Sequence, residues 1–423
     1  MTTTHTEASI EDATAFMARY RPLTVEEIDP SFIHMNPAVM ERSHFEAQEE
    51  YVEPVEPRII DAFDHRAQAR ATIEAADAFV SEIAGRLERQ ETLYDKIFEV
   101  MRSKRFRAGT MKQTQFEDNR EIFRPLVEER IAEDTPLEFV LPSFPFKHNN
   151  PVKVGRRTPD MAEVLCLCQI YSACHALGSV YEPGARFTII GDGMVYREMF
   201  GITEHEASVY RERTQSMIDE LGFGDKIELA DMADLVAEHR EVFDFVEKRL
   251  RPVFAEWWAS HPDDLRLQSL IAASTANLNT SDAVTDDLVQ LATMDVLLET
   301  DKSDAGASLE TIKAQTVRRG EEGAFEFALF LYVLNELDLV STCYPRAVRA
   351  TVHPKPRQWG LHLVSPESRV FPWQGVAYRN VNDRWRIKYE IDMRRERAIP
   401  VHVRGDDEMY PFYYQAAGDD PEQ

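Results

Sequence analysis

Lys147 is the residue with the clearest chemical potential in this sequence. It lies in the segment FPFKHNNPVKVGRRTPDMAE, between Pro145 and Pro151. Because prolines restrict the backbone on both sides, we expect the lysine side chain to be held in a fixed place. A lysine held in this way can bind a phosphate, form a Schiff base or, when buried, act as a base. A single exposed lysine in a loop is the competing interpretation.

A cluster of basic residues surrounds Lys147 in an otherwise very acidic chain. The cluster consists of Lys147, Lys153, Arg156 and Arg157, and Asp160 follows at the predicted start of a helix. Cationic side chains close to a helix N-terminus suit an anionic ligand. The segment therefore predicts an anion site, although a solvated run of charges would have the same composition.

Two later motifs add polar groups of the same kind. Asp192 stands between two glycines directly after ARFTII, where a carboxylate could accept a proton or hold a hydroxyl or ammonium group. An ordinary hairpin turn would look the same. Arg349 and His353 lie four residues apart in VRATVHP and would share one face of a strand, where they could contact a phosphate or carboxylate. A structural role for His353 is equally consistent with the pattern.

The segments between these residues predict strand, helix and strand in succession. The first strand is PLEFVLP, the helix is PDMAEVLCLCQIYSACHAL, and the second strand is ARFTIIG. Ligands of parallel sheets bind at the carboxyl ends of the strands, and Lys147 and Asp192 both follow such ends. The predicted fold class is α/β, with a Rossmann-like, mostly parallel sheet. We expect the later strands in AVRATVHP, WGLHLVSP, GVAYRNVNDRWRIKY and IPVHVR to extend that sheet.

Helical periodicity and proline content divide the chain into regions. Residues 1–63 read as a proline-rich and charged N-terminal extension, and residues 64–400 as the catalytic domain. A helical insert is predicted at about 204–300, and residues 401–423 read as a C-terminal tail. The extension and the long helices could serve a homodimer, but the sequence leaves the oligomeric state open.

Composition narrows the classes of function. The chain has 423 residues, 43% of them hydrophobic, which is enough for a large core. Acidic residues outnumber basic ones by 74 to 48, and the formal charge of −26 disfavours binding to nucleic acid or to an anionic membrane. No apolar run has the length of a membrane span and the N-terminus has no basic leader, so we expect a cytoplasmic protein.

The cysteines and the missing motifs indicate which cofactors to expect. Cys166, Cys168 and Cys174 lie in one apolar helical segment, where core packing in a reducing compartment is favoured over a zinc site with His175. The chain contains no Walker loop, no GxGxxG motif after a strand, no HExxH and no GxSxG. These patterns predict neither a metal nor a nucleotide cofactor.

Taken in order, the motifs resemble the pyoverdine/dityrosine biosynthesis family, which includes the isonitrile synthases. The resemblance covers roughly residues 90–385 and rests on LPSFPFKHNNPVKV, TPDMAEVLCL and YEPGARFTIIGDGMVYREMFGI, with Tyr210 downstream. RRGEEGAF, VRATVHP and VFPWQG follow in the same order as looser matches. The ordered series is far more specific than any one of its members.

This resemblance implies an enzyme that needs no cofactor and has two substrates. An isonitrile synthase joins the amine of an amino acid, often tyrosine or tryptophan, to the ketone of ribulose 5-phosphate and keeps one sugar carbon as the isonitrile. By resemblance, Lys147, Asp192 and His353 are the predicted catalytic residues. The predicted substrate-binding residues are Lys153, Arg156, Arg157, Asp160, Arg319 and Arg349.

The chain departs from the family pattern at points that bear on its substrate. Gly155, Arg156 and Arg157 stand where the family tends to have a Leu-Gly pair, and Gln374 replaces the histidine of Pro-Trp-His. A changed substrate, or a changed reaction, is therefore open. N-formylation of an amino acid and a non-catalytic protein that binds an amine or a sugar phosphate are the two alternatives.

Overall fold

The computed structural model describes most of the chain. The described residues are 13–30, 55–108, 113–147, 153–197, 201–278, 302–352, 357–365, 368, 370–406 and 410–417. Their backbone contacts separate them into two compact units. The unit that we call the sheet unit comprises Glu49–Met194, His205–Met232 and Tyr344–Gln423. The unit that we call the helical unit comprises Met1–Gln48, Val195–Glu204 and Ala233–Cys343.

The chain contains both helices and strands, numbered here along the chain, and they alternate most closely from β2 to β4. The helices are α1 (Ala13–Arg19), α2 (His65–Leu87), α3 (Leu93–Met101), α4 (Gln113–Asp118), α5 (Arg120–Glu133), α6 (Met161–Gly178), α7 (Gly193–Tyr196), α8 (Glu204–Leu221), α9 (Met232–Glu238), α10 (Arg240–Ser260), α11 (Leu265–Leu278), α12 (Lys302–Glu336), α13 (Leu339–Cys343) and α14 (Glu390–Arg395). The strands are β1 (Arg58–Ile60), β2 (Leu137–Pro142), β3 (Ala185–Gly191), β4 (Ile227–Asp231), β5 (Val348–Thr351), β6 (Trp359–Gly360), β7 (Val376–Arg379), β8 (Trp385–Lys388), β9 (Ile399–Val403) and β10 (Tyr413–Gln415).

The first sheet of the sheet unit is entirely parallel. Its five strands lie in the order β4-β3-β2-β5-β6. The central strands β2 and β3 are buried over most of their length, which explains why their sequences are nearly continuous apolar runs. Their carboxyl ends lie side by side, since Pro142 pairs with Ile190 and Gly191 with Asp231. The α/β fold class and the parallel sheet are thus confirmed.

The second sheet corrects one expectation. Its five strands lie in the order β1-β9-β10-β7-β8, with parallel and antiparallel pairs. The late strands in GVAYRNVNDRWRIKY and IPVHVR belong here, so the prediction that they extend the first sheet was wrong. Only β5 and β6 join the first sheet. An alternation of apolar and polar residues identifies a strand but does not identify the strand beside it, which is set by long-range packing.

Two strands of the second sheet lie outside the predicted catalytic domain, residues 64–400. The strand β1 precedes residue 64 and the strand β10 follows residue 400, and both belong to the second sheet. In the predicted insert, α8 and β4 belong to the sheet unit, whereas the helical unit contains the stretch Ala233–Cys343.

The helix α6 is the core of the sheet unit. It packs against β3 of the first sheet and β7 of the second, and nearly every residue from Met161 to Leu177 is buried. Contact on all sides explains why the helix is apolar all round. By length and composition α6 could cross a membrane, but 83% of it is buried inside the protein, as in an ordinary core helix. Cys166, Cys168 and Cys174 are free and buried on it, where burial raises the pKa of each thiol.

The helical unit is held together by aromatic packing between its long helices. The helix α12 packs against both α10 and α11, and α1 packs against α10. Phe254 of α10 is fully buried and contacts the rings of Phe325 and Tyr332 of α12. On the rim, Arg251 forms an ion pair with Glu326.

Gly193, the first residue of α7, lets this turn of the chain contact the loop that follows β2. A Cβ atom at this position would collide with the backbone oxygen of Pro145 and with the ring of Phe146. We therefore expect Gly193→Ala to reduce the free energy of unfolding by about 1–3 kcal/mol, the usual cost of overpacking. Chemical denaturation followed by circular dichroism measures the change.

Gly85 is a matched control for this substitution because it lies on the exposed face of α2 in the same unit. A Cβ there would meet nothing closer than 3.9 Å. Gly85→Ala should stabilise the protein by about 0.5–1 kcal/mol, since alanine is the better helix former. Equal effects of the two substitutions would contradict the close approach at Gly193.

Candidate active site

The ammonium group of Lys147 lies in a buried cage of oxygen atoms. The residue is only 1% exposed. Its Nζ donates to Oδ2 of Asp160 at 2.7 Å and to the backbone oxygens of Gly375 at 3.0 Å and Pro372 at 3.3 Å. Oε2 of Glu163 lies 3.3 Å from the same Nζ. Since an ammonium group has three protons, the cage satisfies it completely.

Local backbone structure explains how the lysine reaches this place. The strand β2 ends at Pro142, and Phe144 then takes the left-handed conformation, with a φ of 61°. A bulky residue takes this conformation only at a steric cost, which the surrounding packing must offset. Gly193 packs against Pro145 and Phe146 from the other side. The loop that carries Lys147 is therefore fixed by the packing of its own backbone.

The two carboxylates come from the first turn of α6. Asp160 is the N-cap and accepts a hydrogen bond from the backbone N–H of Ala162 at 2.7 Å. Glu163 accepts one from the backbone N–H of Asp160 at 2.8 Å, which completes a capping box. Asp160 thus stands at the start of a helix, as the sequence predicts. The same capping box also presents both acids to Lys147.

Glu163 is the member of this cluster best suited to exchange a proton near neutral pH. Burial raises the pKa of its carboxyl to about 7, against the opposing effect of the Lys147 ammonium group. The hydroxyl of Tyr210 on α8 donates to Oε1 of Glu163 at 3.1 Å and is itself buried. Burial and the neighbouring carboxylate raise the pKa of Tyr210 well above its usual value, so the phenol remains a donor.

Asp192 is partly exposed at the carboxyl end of β3. It follows β3 directly, and the adjacent Gly193 touches the loop that carries Lys147. The acidic partners of Lys147 are Asp160 and Glu163. Asp192 instead stands at the carboxyl end of the sheet, next to a narrow cleft lined by Gly191, Gly193 and Asp231.

The arginines of the basic cluster are engaged with carboxylates. Arg156 is buried, donates to Thr158 Oγ1 at 2.7 Å and forms a 2.8 Å ion pair with Asp406. Arg157 is half-exposed and forms a 2.5 Å ion pair with Glu206. A substrate anion would have to compete with these partners, so their predicted role in substrate binding stays a prediction.

Lys153 lies in a second buried group of polar side chains. Burial lowers the pKa of its ammonium group to about 8. The backbone N–H of Glu390 donates to the carbonyl oxygen of Lys153 at 3.0 Å. The Glu390 carboxyl is buried, and its Oε1 accepts hydrogen bonds from Tyr414 and Arg394. Burial raises the pKa of Glu390, and nearby Asp160 raises it further.

Glycine 155 is what allows this second group to form. A Cβ atom at this position would lie 2.9 Å from Oε2 of Glu390, closer than side chains tolerate. The glycine at which the chain departs from its apparent relatives therefore accommodates a buried carboxylate. The difference from the family pattern at Gly155 therefore affects the packing around the buried pair Glu390 and Tyr414, and not an exposed part of the surface.

The other predicted site residues are more scattered. Arg349 lies on β5, half-buried, and pairs in register with Val140 of β2. Arg319 is exposed on α12 of the helical unit. His353 lies outside the described residues. The roles predicted for these three residues therefore stay predictions.

Sequence reasoning missed Glu390 and Tyr414, and it did not name Glu163 among the site residues. Glu390 and Tyr414 have no local signature, since Tyr414 contacts Glu390, and Lys153, the backbone partner of Glu390, is more than two hundred residues away from it. Only Glu163 had a usable signal, because an Asp followed three residues later by Glu at a helix start predicts a capping box.

Comparisons with known proteins agree with this arrangement of motifs. Residues 127–400 match the family model of the pyoverdine/dityrosine biosynthesis protein. The L-tyrosine isonitrile synthase of Pseudomonas aeruginosa is 27% identical over 297 residues, which cover 69% of this chain and 84% of that protein. The L-tyrosine isonitrile synthase of Xenorhabdus nematophila is 23% identical and covers 69% of this chain and 83% of its own.

A shorter sequence match and a superposition on a solved structure add to these comparisons, and the superposition shows a similar fold. The L-tryptophan isonitrile synthase AmbI1 of Fischerella ambigua is 35% identical over 97 residues, covering 23% of this chain and 30% of its own. The crystal structure of the PvcA protein from Pseudomonas aeruginosa superposes with a TM-score of 0.59 at 21% identity, over 77% of this chain and all of that one. The family model spans more than half of the chain, and the chain therefore belongs to the pyoverdine/dityrosine biosynthesis protein family.

Proposed function

We propose that this protein is an isonitrile synthase that acts on the amine of an aromatic amino acid and takes its one carbon from ribulose 5-phosphate. The observation that carries the proposal is the buried cluster of Lys147, Asp160, Glu163 and Tyr210 beside the carboxyl ends of a parallel sheet. It occurs in a chain whose curated relatives are L-tyrosine and L-tryptophan isonitrile synthases. The sugar phosphate and a cytoplasmic location rest on the family resemblance and the composition.

Acid–base chemistry of the kind the cluster offers is what the first step requires. An amine attacks a ketone only after losing its ammonium proton, and the resulting carbinolamine loses its oxygen only after gaining one. Glu163, whose pKa is about 7, can accept and return a proton at neutral pH. The Lys147 ammonium can donate to the developing oxygen once that oxygen replaces one of the two backbone carbonyls.

In this proposal the substrates reach the Lys147 cluster through the cleft near Asp192. All members of the Lys147 cluster are buried, so substrates must reach them from the partly exposed edge of the sheet. Asp192 would hold the substrate ammonium there, and Arg211 and Asp231, 3.7 Å apart, line the cleft. Arg349 and Lys153 remain the candidate contacts for the substrate anions.

The direct test is incubation of the purified protein with ribulose 5-phosphate and single amino acids. We expect an isonitrile product with tyrosine or tryptophan, detected by its infrared stretch and by reaction with a tetrazine. A product with a formyl mass would instead indicate N-formylation. Absence of any product and of phosphate release, with every amine tested, would contradict an enzymatic role.

Removing the Lys147 charge tests the proposed centre. We expect Lys147→Met to reduce kcat at least about 100-fold, because the donor to the carbonyl-derived oxygen is lost. The substitution also leaves two buried carboxylates without their cation, which costs roughly 3–5 kcal/mol of stability. Thermal unfolding and calorimetric binding of tyrosine must therefore accompany the kinetics.

An exposed lysine serves as the control for Lys147. Lys104→Met removes the same charge from the surface and should leave kcat and stability unchanged. A folded Lys147→Met protein that binds tyrosine and turns over at the wild-type rate would show that Lys147 is only structural.

The pH dependence of kcat tests whether Glu163 accepts the proton, and substitution of its hydrogen-bond donor Tyr210 identifies the titrating group. If Glu163 must be ionised to accept the proton, kcat rises with pH through a midpoint near 7. The Tyr210 hydroxyl stabilises the carboxylate, so Tyr210→Phe should raise the Glu163 pKa and move the midpoint up by about one unit. Initial rates at saturating substrates measure this midpoint.

Tyr181 is the matched control for the pH experiment. Its buried hydroxyl donates to the backbone oxygens of Arg130 and Thr135 and touches no carboxylate of the cluster. Tyr181→Phe should lower stability without moving the midpoint. A midpoint that moves equally in both variants, or in neither, would mean that another group titrates.

A further inference from the structure

Three side chains of metal-binding type converge in the helical unit. Glu238 ends α9, His239 stands at the junction with α10, and Cys343 ends α13. One carboxylate oxygen, one imidazole nitrogen and the thiol sulfur all lie within 4.8 Å of one another. Ligand atoms of a tetrahedral zinc ion are roughly 3–4 Å apart, so small side-chain rotations would complete the geometry.

A break between two helices directs adjacent residues to the same place. His239 has φ −109° and ψ 25°, outside the helical region, so that α9 ends before it and α10 begins after it. In a continuous helix Glu238 and His239 would point in different directions. Within the described part of the chain, the side chains of Glu238, His239 and Cys343 have no hydrogen bond or ion pair to any other side chain.

The position of these residues along the chain suggests what a metal would do. The segment Ala233–Cys343 is the longest continuous part of the helical unit. Glu238 and His239 lie near its beginning, and Cys343 is its last residue. A bond between the two ends closes a loop of about a hundred residues, and cross-links over long loops remove much entropy from the unfolded chain.

We propose that Glu238, His239 and Cys343 bind a zinc ion that ties the two ends of this helical segment together. The thiol of Cys343 gives up its proton to solvent as its sulfur bonds to the metal. The thiolate and the Glu238 carboxylate then balance the two positive charges of the ion, and neutral His239 and a water complete four ligands. This site lies in the helical unit, and its role is structural and independent of the proposed reaction.

Metal titration of the untagged full-length protein tests the site. After dialysis against a chelator, the protein should bind one equivalent of Zn²⁺ with a Kd on the order of 1 μM or tighter, measured against a chromophoric competitor. Co²⁺ alone should give a thiolate-to-cobalt charge-transfer band. Zn²⁺ should also raise the unfolding temperature and protect Cys343 from alkylation, as mapped by mass spectrometry.

Single substitutions assign the ligands. We expect Cys343→Ser to abolish the charge-transfer band, and His239→Ala to weaken zinc binding by more than about tenfold. His205→Ala, which removes an exposed histidine from α8, is the matched control and should leave binding unchanged. A cobalt adduct without the thiolate band, or unaltered zinc affinity in His239→Ala, would overturn the proposal. The wild-type cobalt spectrum decides the question of the thiolate even if Cys343→Ser fails to fold.

Discussion

A single buried ammonium group places the strictest demand on this structure. Taking Lys147 out of water is costly unless oxygen atoms replace the water around it. Those oxygens come from Asp160 and Glu163 at the start of α6 and from the backbone at Pro372 and Gly375. The segment that contains Lys147, Asp160 and Glu163 must therefore meet a segment more than two hundred residues away with hydrogen-bonding precision. Folding of the sheet unit and assembly of the cluster are the same event.

The helix α6 connects the Lys147 cluster to the hydrophobic core. Its body packs between the two sheets, while its first turn supplies both acids. The capping box aligns Asp160 and Glu163 before either meets the lysine, so little entropy is lost in bringing them together. A displacement of α6 would misplace both carboxylates at once. The apolar packing of the helix thus sets the geometry of the polar cluster.

Charge is unevenly distributed around the site. The carboxyls of Asp160, Glu163 and Glu390 are all buried, and burial raises the pKa of Glu163 and Glu390. The guanidinium groups of Arg156 and Arg157 form ion pairs with two other, partly buried acids, Asp406 and Glu206. The acids of the site are nonetheless matched by cations, since Lys147 contacts Asp160 and Glu163 and Arg394 contacts Glu390.

The sequence by itself determined the α/β class, the parallel strands β2 and β3, and the importance of the Lys147 segment, because these depend on local periodicity and on an ordered series of motifs. Only the tertiary structure decided which acids surround Lys147, that the strands after β6 form a second sheet, and that Gly155 accommodates Glu390. Strand neighbours and the contact of Gly155 with Glu390 depend on residues far apart in the chain, so their free energy has no local signature. Lys147 meets Asp160, 13 residues along the chain, only because the folded protein buries both side chains.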